Sequence, residues 1–337
     1  PPAPVSTRDA LLHLLNRLGA PQQDLLFRDP SAPEVLVRQL RQKYLEHTAR
    51  LSTVLILDDA ADAGQVRPLI PDRSPSLVLI TSREPLDLGD AFAVHSLPVD
   101  PLTARETAAL FTALAGPLPR PPKNDALVRA SGGLPLAVRM AGAALAADPG
   151  LRLPSGEVSL ETVMRLAYGA LPHDARRLFR RLVLVGRASL GTAAAAALLD
   201  CSEEHAAAQL ETLARAHMVE HVHSGRYRLP EMLRSFARAR LEDEEDRQER
   251  IAAQERLIHD YAELAASVIH HVEGASSSRA VRTPLRGFDS LDEALSWLDE
   301  ESSFITATLR HTDDVTPSVV QALIEALCDY CLLRGDL

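Results

Sequence analysis

Residues 54–59, Val-Leu-Ile-Leu-Asp-Asp, constrain the fold of this chain more than any other stretch. Four consecutive aliphatic residues without alternation read as a strand of a parallel sheet, buried on both faces. Ligands of open α/β sheets sit at the carboxyl ends of such strands. Here that end carries Asp58 and Asp59. Two carboxylates so placed suit a hydrated Mg²⁺ and an attacking water, as in phosphate chemistry. The same pair also suits a turn and the cap of a following helix.

A second buried-strand signal, Leu77–Ile80, runs straight into Thr81-Ser82-Arg83. Ala93–Leu97 reads as a third strand. Two helices precede them. Ser6 opens one that Gly19-Ala20-Pro21 stops, and the other covers about 32–48. Helices alternating with apolar strands predict an α/β layer around a parallel sheet. Arg83 would then share a sheet edge with the Asp pair.

From Leu102 the pattern is helical. Thr103–Glu106 is a capping box. The proline-rich stretch 116–123 reads as loop. Gly132-Gly133-Leu134-Pro135 leads into an Ala-rich helix ending near Ala147, with Pro in the first turn. Residues 158–245 form a separate block. Its helices cover 160–166, 174–184, 192–199 and 202–216, followed by a hairpin turning at Ser224-Gly225 and a closing helix over 230–241. Three helices and a hairpin predict a winged-helix domain. The helix in the recognition position carries Glu203, Glu204 and Glu211, which argues against contact with phosphates. His217, His221 and His223 lack carboxylate or thiolate support for a metal. Glu242–Asp246 reads as a charged helix end or linker. A long helix over 247–271 follows, then a loop over 273–288. Helices starting at Ser290, Ser302 and Pro317 begin an α-helical stack, and Arg334-Gly335-Asp336 closes it as a turn.

At 337 residues, two to four domains are expected. A 46% hydrophobic and 24% charged composition fits a globular protein. No apolar run approaches the length of a membrane span, and no signal peptide opens the sequence, so a cytoplasmic location is expected. The formal charge of −10 disfavours binding of the whole chain to a nucleic-acid backbone. Cys328 and Cys331 form Cys-x-x-Cys without the second pair that zinc needs, and suit helix packing in a reducing compartment.

LILDDA, LVLITSRE, GGLPLAVRMAGAAL and YRLPEMLRSFARARL, in that order and spacing, resemble the NB-ARC (STAND-class) nucleotide-binding switch. The form in large actinobacterial activators of antibiotic biosynthesis is especially similar. The resemblance implies a partial P-loop-NTPase-like parallel sheet over 1–100 and a helical lid domain over 101–155. It implies a winged-helix domain over 156–245, then a helical linker and the start of tetratricopeptide-like repeats over 246–337. It implies ATP/ADP and Mg²⁺ as ligands. Asp58 would hold Mg²⁺ through water, Asp59 would polarise the attacking water, and Arg83 would sense the γ-phosphate. Gly133, Leu134 and Pro135 would line the nucleotide, with Pro135 against the adenine. A protein or small-molecule signal would act through the helical repeats, and DNA only through a domain outside this chain. No membrane partner is implied, and a nucleotide-dependent oligomer is. Two positions depart from the family. Neither lysine, Lys43 or Lys123, sits in a phosphate-binding loop, which in the family lies just upstream of where this sequence starts. Leu229-Pro230-Glu231 replaces the family's histidine-containing contact to the ADP phosphate. A nucleotide-free interaction scaffold and the switch of an antiviral or death-type effector are the alternatives.

Overall fold

In the computed structural model the chain divides into two units, Pro1–Val99 and Asp100–Leu337. The structure describes residues 6–21, 33–71, 75–90, 92–115, 121–148, 159–222, 225–273 and 315–334, with single residues between 288 and 312.

In the first unit, α1 (Thr7–Arg17) starts at Ser6, whose hydroxyl accepts the Asp9 N–H at 3.1 Å. Gly19, at φ +74°, ends it in a conformation that side chains other than glycine resist. Leu11 and Leu15 of α1 interlock with Leu40 and Tyr44 of α2 (Pro33–Thr48) in a small core. The Tyr44 hydroxyl donates to the Leu69 carbonyl at 3.0 Å.

β1 (Val54–Ala60) and β2 (Leu77–Ser82) run parallel, with Val54 opposite Leu77 and Leu57 opposite Ile80. The short α3 (Ala63–Val66) and a 3₁₀ turn at Arg67–Leu69 lie between them in sequence. Ala60, Val66, Ile70 and Leu88 form a second small core, with Leu57, Val78 and Ile80 half-buried against it.

Two expectations are corrected in this unit. The strands are covered on one face, not both: Val54, Ile56, Leu77 and Leu79 are 63, 65, 56 and 47% exposed. Successive side chains of a strand point to opposite faces, and the described residues layer only one of them. The third strand, expected at 93–97, does not form. Residues 93–97 carry no strand assignment, and Val94 and Leu97 are exposed. A strand needs a neighbour for its backbone groups, and the first sheet consists of β1 and β2 alone among the described residues.

In the second unit α4 (Ala104–Ala115) opens with the expected reciprocal cap. Thr103 N–H donates to Glu106 Oε2 at 2.9 Å, and Glu106 N–H donates to Thr103 Oγ1 at 3.3 Å. α5 (Pro121–Ala130) begins inside the stretch read as loop. Its prolines occupy the first turn, where an N–H would have no helical partner. α6 (Pro135–Ala147) packs against α4 and against α7 (Leu160–Gly169). Then follow α8 (His173–Arg181), a 3₁₀ turn at Leu182–Val185, α9 (Thr192–Leu199) and α10 (Glu203–Arg215). The antiparallel hairpin pairs β3 (Glu220–His221) with β4 (Tyr227–Arg228), and α11 (Glu231–Glu244) leaves it. α12 (Arg247–Glu273) packs against α9 and α13 (Pro317–Arg334). One apolar core runs from Phe111 to Leu323. The loop at 273–288, the helix start at Ser290 and the closing Arg-Gly-Asp turn lie mostly outside the described residues. Of the helix from Ser302, residues 304–305 and 307–309 are helical.

The charged helix end expected at 242–246 forms, with α11 closing at Glu244, but Glu245 turns inward as a buried anchor. Glu245 is 5% exposed and accepts from Arg180 Nε at 3.0 Å and from Arg181 Nε at 2.8 Å. Arg180 Nη1 also reaches Glu244 Oε2 at 2.9 Å and the Tyr168 hydroxyl at 2.7 Å. Arg181 Nη1 donates to the Leu198 carbonyl at 2.6 Å. Buried charges need such pairing, and it joins α7, α8, α9 and the end of α11.

Candidate functional site

The parallel register that places Leu57 beside Ile80 brings the next residues, Asp58 and Thr81, side by side. The Thr81 hydroxyl donates to Asp58 Oδ1 at 2.5 Å. Thr81 Oγ1 in turn accepts the backbone N–H of Asp59 at 2.9 Å. One hydroxyl therefore holds the first carboxylate by its side chain and the second by its backbone. The register breaks between Leu57 and Ala60, and Asp59 sits at φ +52°. Asp is among the few residues that tolerate this left-handed conformation. Asp59 Oδ1 lies 3.3 Å from Arg83 Nε.

This constellation faces water. The side chains of Arg83 and Asp59 are 82 and 51% exposed. An ion pair so exposed holds weakly, so either partner can exchange it for an incoming ion. Among the described residues no group of three or more His, Cys, Asp or Glu comes together as a metal cage. Two neighbouring carboxylates do fit Mg²⁺, which keeps several waters and takes remaining ligands from phosphate oxygens. Asp58, Asp59 and Arg83 thus meet at one sheet edge. Thr81 is the residue that ties the two aspartates together. Its signal was available in the sequence: two parallel strands of equal apolar length put the residues that follow them next to each other.

The second set of candidates lies in the other unit. Gly132 and Gly133 have φ +58° and +71°. A Cβ on Gly133 would stand 2.4 Å from the Leu102 carbonyl oxygen, so only glycine fits there. The Leu102 N–H donates to the Gly133 carbonyl at 2.9 Å, tying the approach to α4 to the approach to α6. Leu134 caps α6 with Pro135 in its first turn. Both side chains are exposed and form an apolar step.

Of the remaining candidates, Glu231, Glu211 and His221 have structural partners. Pro230 stands at the N-cap of α11 with no side-chain hydrogen bond, and Glu231 pairs with Arg187 at 2.6 Å. On α10, Glu211 accepts from the Tyr227 hydroxyl. His221 packs edge-on against Tyr227, with ring centroids 5.0 Å apart. Burial lowers the pKa of His217. His223 lies outside the described residues.

No protein-family model matches the chain. The chain is 32% identical over 302 residues to the Regulatory protein AfsR of Streptomyces griseus, covering 82% of this chain and 31% of that protein. It is likewise 32% identical over 290 residues to the Regulatory protein AfsR of Streptomyces coelicolor, covering 77% of this chain and 29% of that protein. The chain therefore spans about a third of the length of the curated relatives it matches. Among solved structures, it resembles a Signal Transduction ATPase with Numerous Domains (STAND) protein with a tetratricopeptide repeat sensor from Pyrococcus horikoshii. The TM-score is 0.53 at 15% identity, over 97% of this chain and 49% of that one. A mostly helical body with a small parallel sheet is the fold the two share.

Proposed function

We propose that this chain forms part of the ATP/ADP-dependent switch core of a bacterial transcriptional regulator. The observation that carries this reading is the Asp58–Thr81–Asp59–Arg83 constellation at the ends of two parallel strands. The similarity to AfsR supports the regulatory half. Asp58, oriented by Thr81, would hold Mg²⁺ through water. Asp59 orients and polarises a water for attack. Arg83 leaves Asp59 for the γ-phosphate, a charge-assisted contact stronger than an exposed ion pair. Mg²⁺, when bound, neutralises phosphate charge. Leu134 and Pro135 offer the adenine an apolar surface, and Gly133 keeps the backbone at their base close to Leu102.

In this reading 101–155 is the lid, and α8 to α10 with the hairpin form the winged helix. ADP favours a closed arrangement. A protein or small-molecule signal acting on the C-terminal helices favours exchange for ATP. DNA is met through a region outside this chain, and oligomerisation depends on the bound nucleotide. The chain on its own is expected to hydrolyse ATP negligibly.

Calorimetry on the full-length protein tests the reading. Asp58→Ala is expected to weaken Mg-ATP while sparing Mg-free ADP. Arg83→Ala is expected to lower the preference for ATP over ADP by about tenfold. A full-length protein that binds neither nucleotide would be the interaction scaffold instead. Robust turnover by this chain alone, abolished by Asp58→Ala, would overturn the expectation of inactivity.

A further inference from the structure

Residues far apart in sequence meet in one buried polar joint of the second unit. Arg226, just before β4, donates through Nη1 and Nη2 to the two carboxylate oxygens of Glu301, the second contact at 3.1 Å. Its Nε donates to Ser189 Oγ at 3.1 Å, and Nη2 also to the Ser189 carbonyl at 2.5 Å. From α12 the Tyr261 hydroxyl donates to Glu301 Oε2 at 3.1 Å. The side chains of Arg226 and Glu301 are only 7 and 8% exposed.

We propose that Arg226 and Glu301 form a latch that fastens the C-terminal helical region to the hairpin and opens as a unit, leaving both sides folded. That the latch passes a signal toward bound nucleotide rests on the switch reading above. On the C-terminal side Tyr261 stacks with Trp297 and Phe304, and Trp297 with Phe288, at centroid distances of 5.6, 5.0 and 5.4 Å. These rings belong to the core that also holds Tyr227 and Leu229, and Glu301 adds a bridge to the hairpin through charge and hydrogen bonds.

The physics of such a joint is two-state. A buried ion pair contributes little more than an apolar pair of the same shape. Its bidentate geometry nevertheless admits one register. A half-open position would strand a charge in apolar surroundings, which is costly. Fully parted, both heads regain water. The root of α12 does not depend on the latch. It packs against α9, and Arg256 Nε donates to the Ala197 carbonyl at 3.2 Å.

Hydrogen–deuterium exchange on the full-length protein decides the proposal. Glu301→Ala is expected to speed exchange about 100-fold in peptides covering 218–229 and 301–309, with α7 to α10 unchanged. Glu301→Gln keeps the side chain's shape and is expected to give about tenfold, and it decides the matter should the Ala variant fail to fold. Exchange within about twofold of wild type, or a rise spread evenly over α7 to α10, overturns the latch. ADP release measured in parallel separates the two readings. A wild-type protein that binds no ADP sinks the nucleotide reading and leaves the latch to the exchange result. An exchange-positive variant that releases ADP at the wild-type rate severs the latch from nucleotide signalling.

Discussion

The two units use the same chemistry, arginine against carboxylate, in opposite surroundings. In the first, Arg83 and Asp59 meet at 3.3 Å in water, on a residue that adopts a left-handed backbone. In the second, Arg180 and Arg181 close on Glu245 with side chains 8, 2 and 3% exposed. Water screens the first pair and makes it exchangeable. The second cluster has little water to fall back on, so removing Glu245 leaves Arg181 without a carboxylate and Arg180 with Glu244 alone. The contrast separates a contact suited to chemistry from one suited to architecture. Shared residue types do not distinguish them, and burial does.

The comparison can be broken most directly at Glu245. Glu245→Ala should cost the second unit about 3–5 kcal/mol, because two buried guanidiniums lose their common partner. Urea denaturation followed by far-ultraviolet circular dichroism measures it, and a cost below about 1 kcal/mol would mean water reaches the cluster. Next comes Gly133→Ala. The added Cβ meets the Leu102 carbonyl, and the left-handed backbone adds strain, for a loss of about 2–4 kcal/mol. The same substitution at Gly132, where a Cβ meets nothing within 4 Å, isolates the backbone share. Thr81→Val should destabilise the first unit by about 1 kcal/mol, yet affect Mg-ATP binding by the full-length protein more than stability. An unchanged affinity would remove Thr81 from the site.

The smallest effect concerns Asp174, which bonds His173 at 3.0 Å and His205 at 2.9 Å. Those contacts, His173 first, hold its carboxyl below the usual range. A lowered folded-state value stabilises above the unfolded value, near about 4, and the gain disappears as pH falls through the folded one. Because the carboxylate is 42% exposed, the expected contribution is well under about 1 kcal/mol. Comparing acid titrations of wild type and Asp174→Asn would show it, and a large difference would reclassify this pair with the buried ones.

Much of the helical half was legible because caps and apolar periodicity are local. Ser6, Thr103 and Pro135 mark helix starts that the structure keeps. The meeting of Asp58, Asp59 and Arg83 was legible because the two strands have matched apolar runs. What escaped depends on partners distant in sequence. Arg180 and Glu245 are 65 residues apart, and Arg226 and Glu301 are 75 apart. No periodicity announces that Glu245, within a run of five acidic residues, turns inward. The strand expected at 93–97 failed for the converse reason: its residues suit a strand, but pairing requires a second backbone. Pro121 and Pro122 misled because proline ends a helix in its interior and starts one in its first turn.

The side of β1 and β2 that the described residues leave uncovered sets how this chain behaves in a test tube. Val54 and Ile56 alternate along one strand, and Leu77 and Leu79 along the next, forming a small oily plaque beside the acidic sheet edge. Sulfate is excluded from protein surfaces and raises the cost of keeping such a plaque wet. The chain should therefore scatter light in rising ammonium sulfate while its helices remain intact. A dye that brightens in oil-like surroundings should fluoresce on the native protein, and that signal should not be mistaken for unfolding.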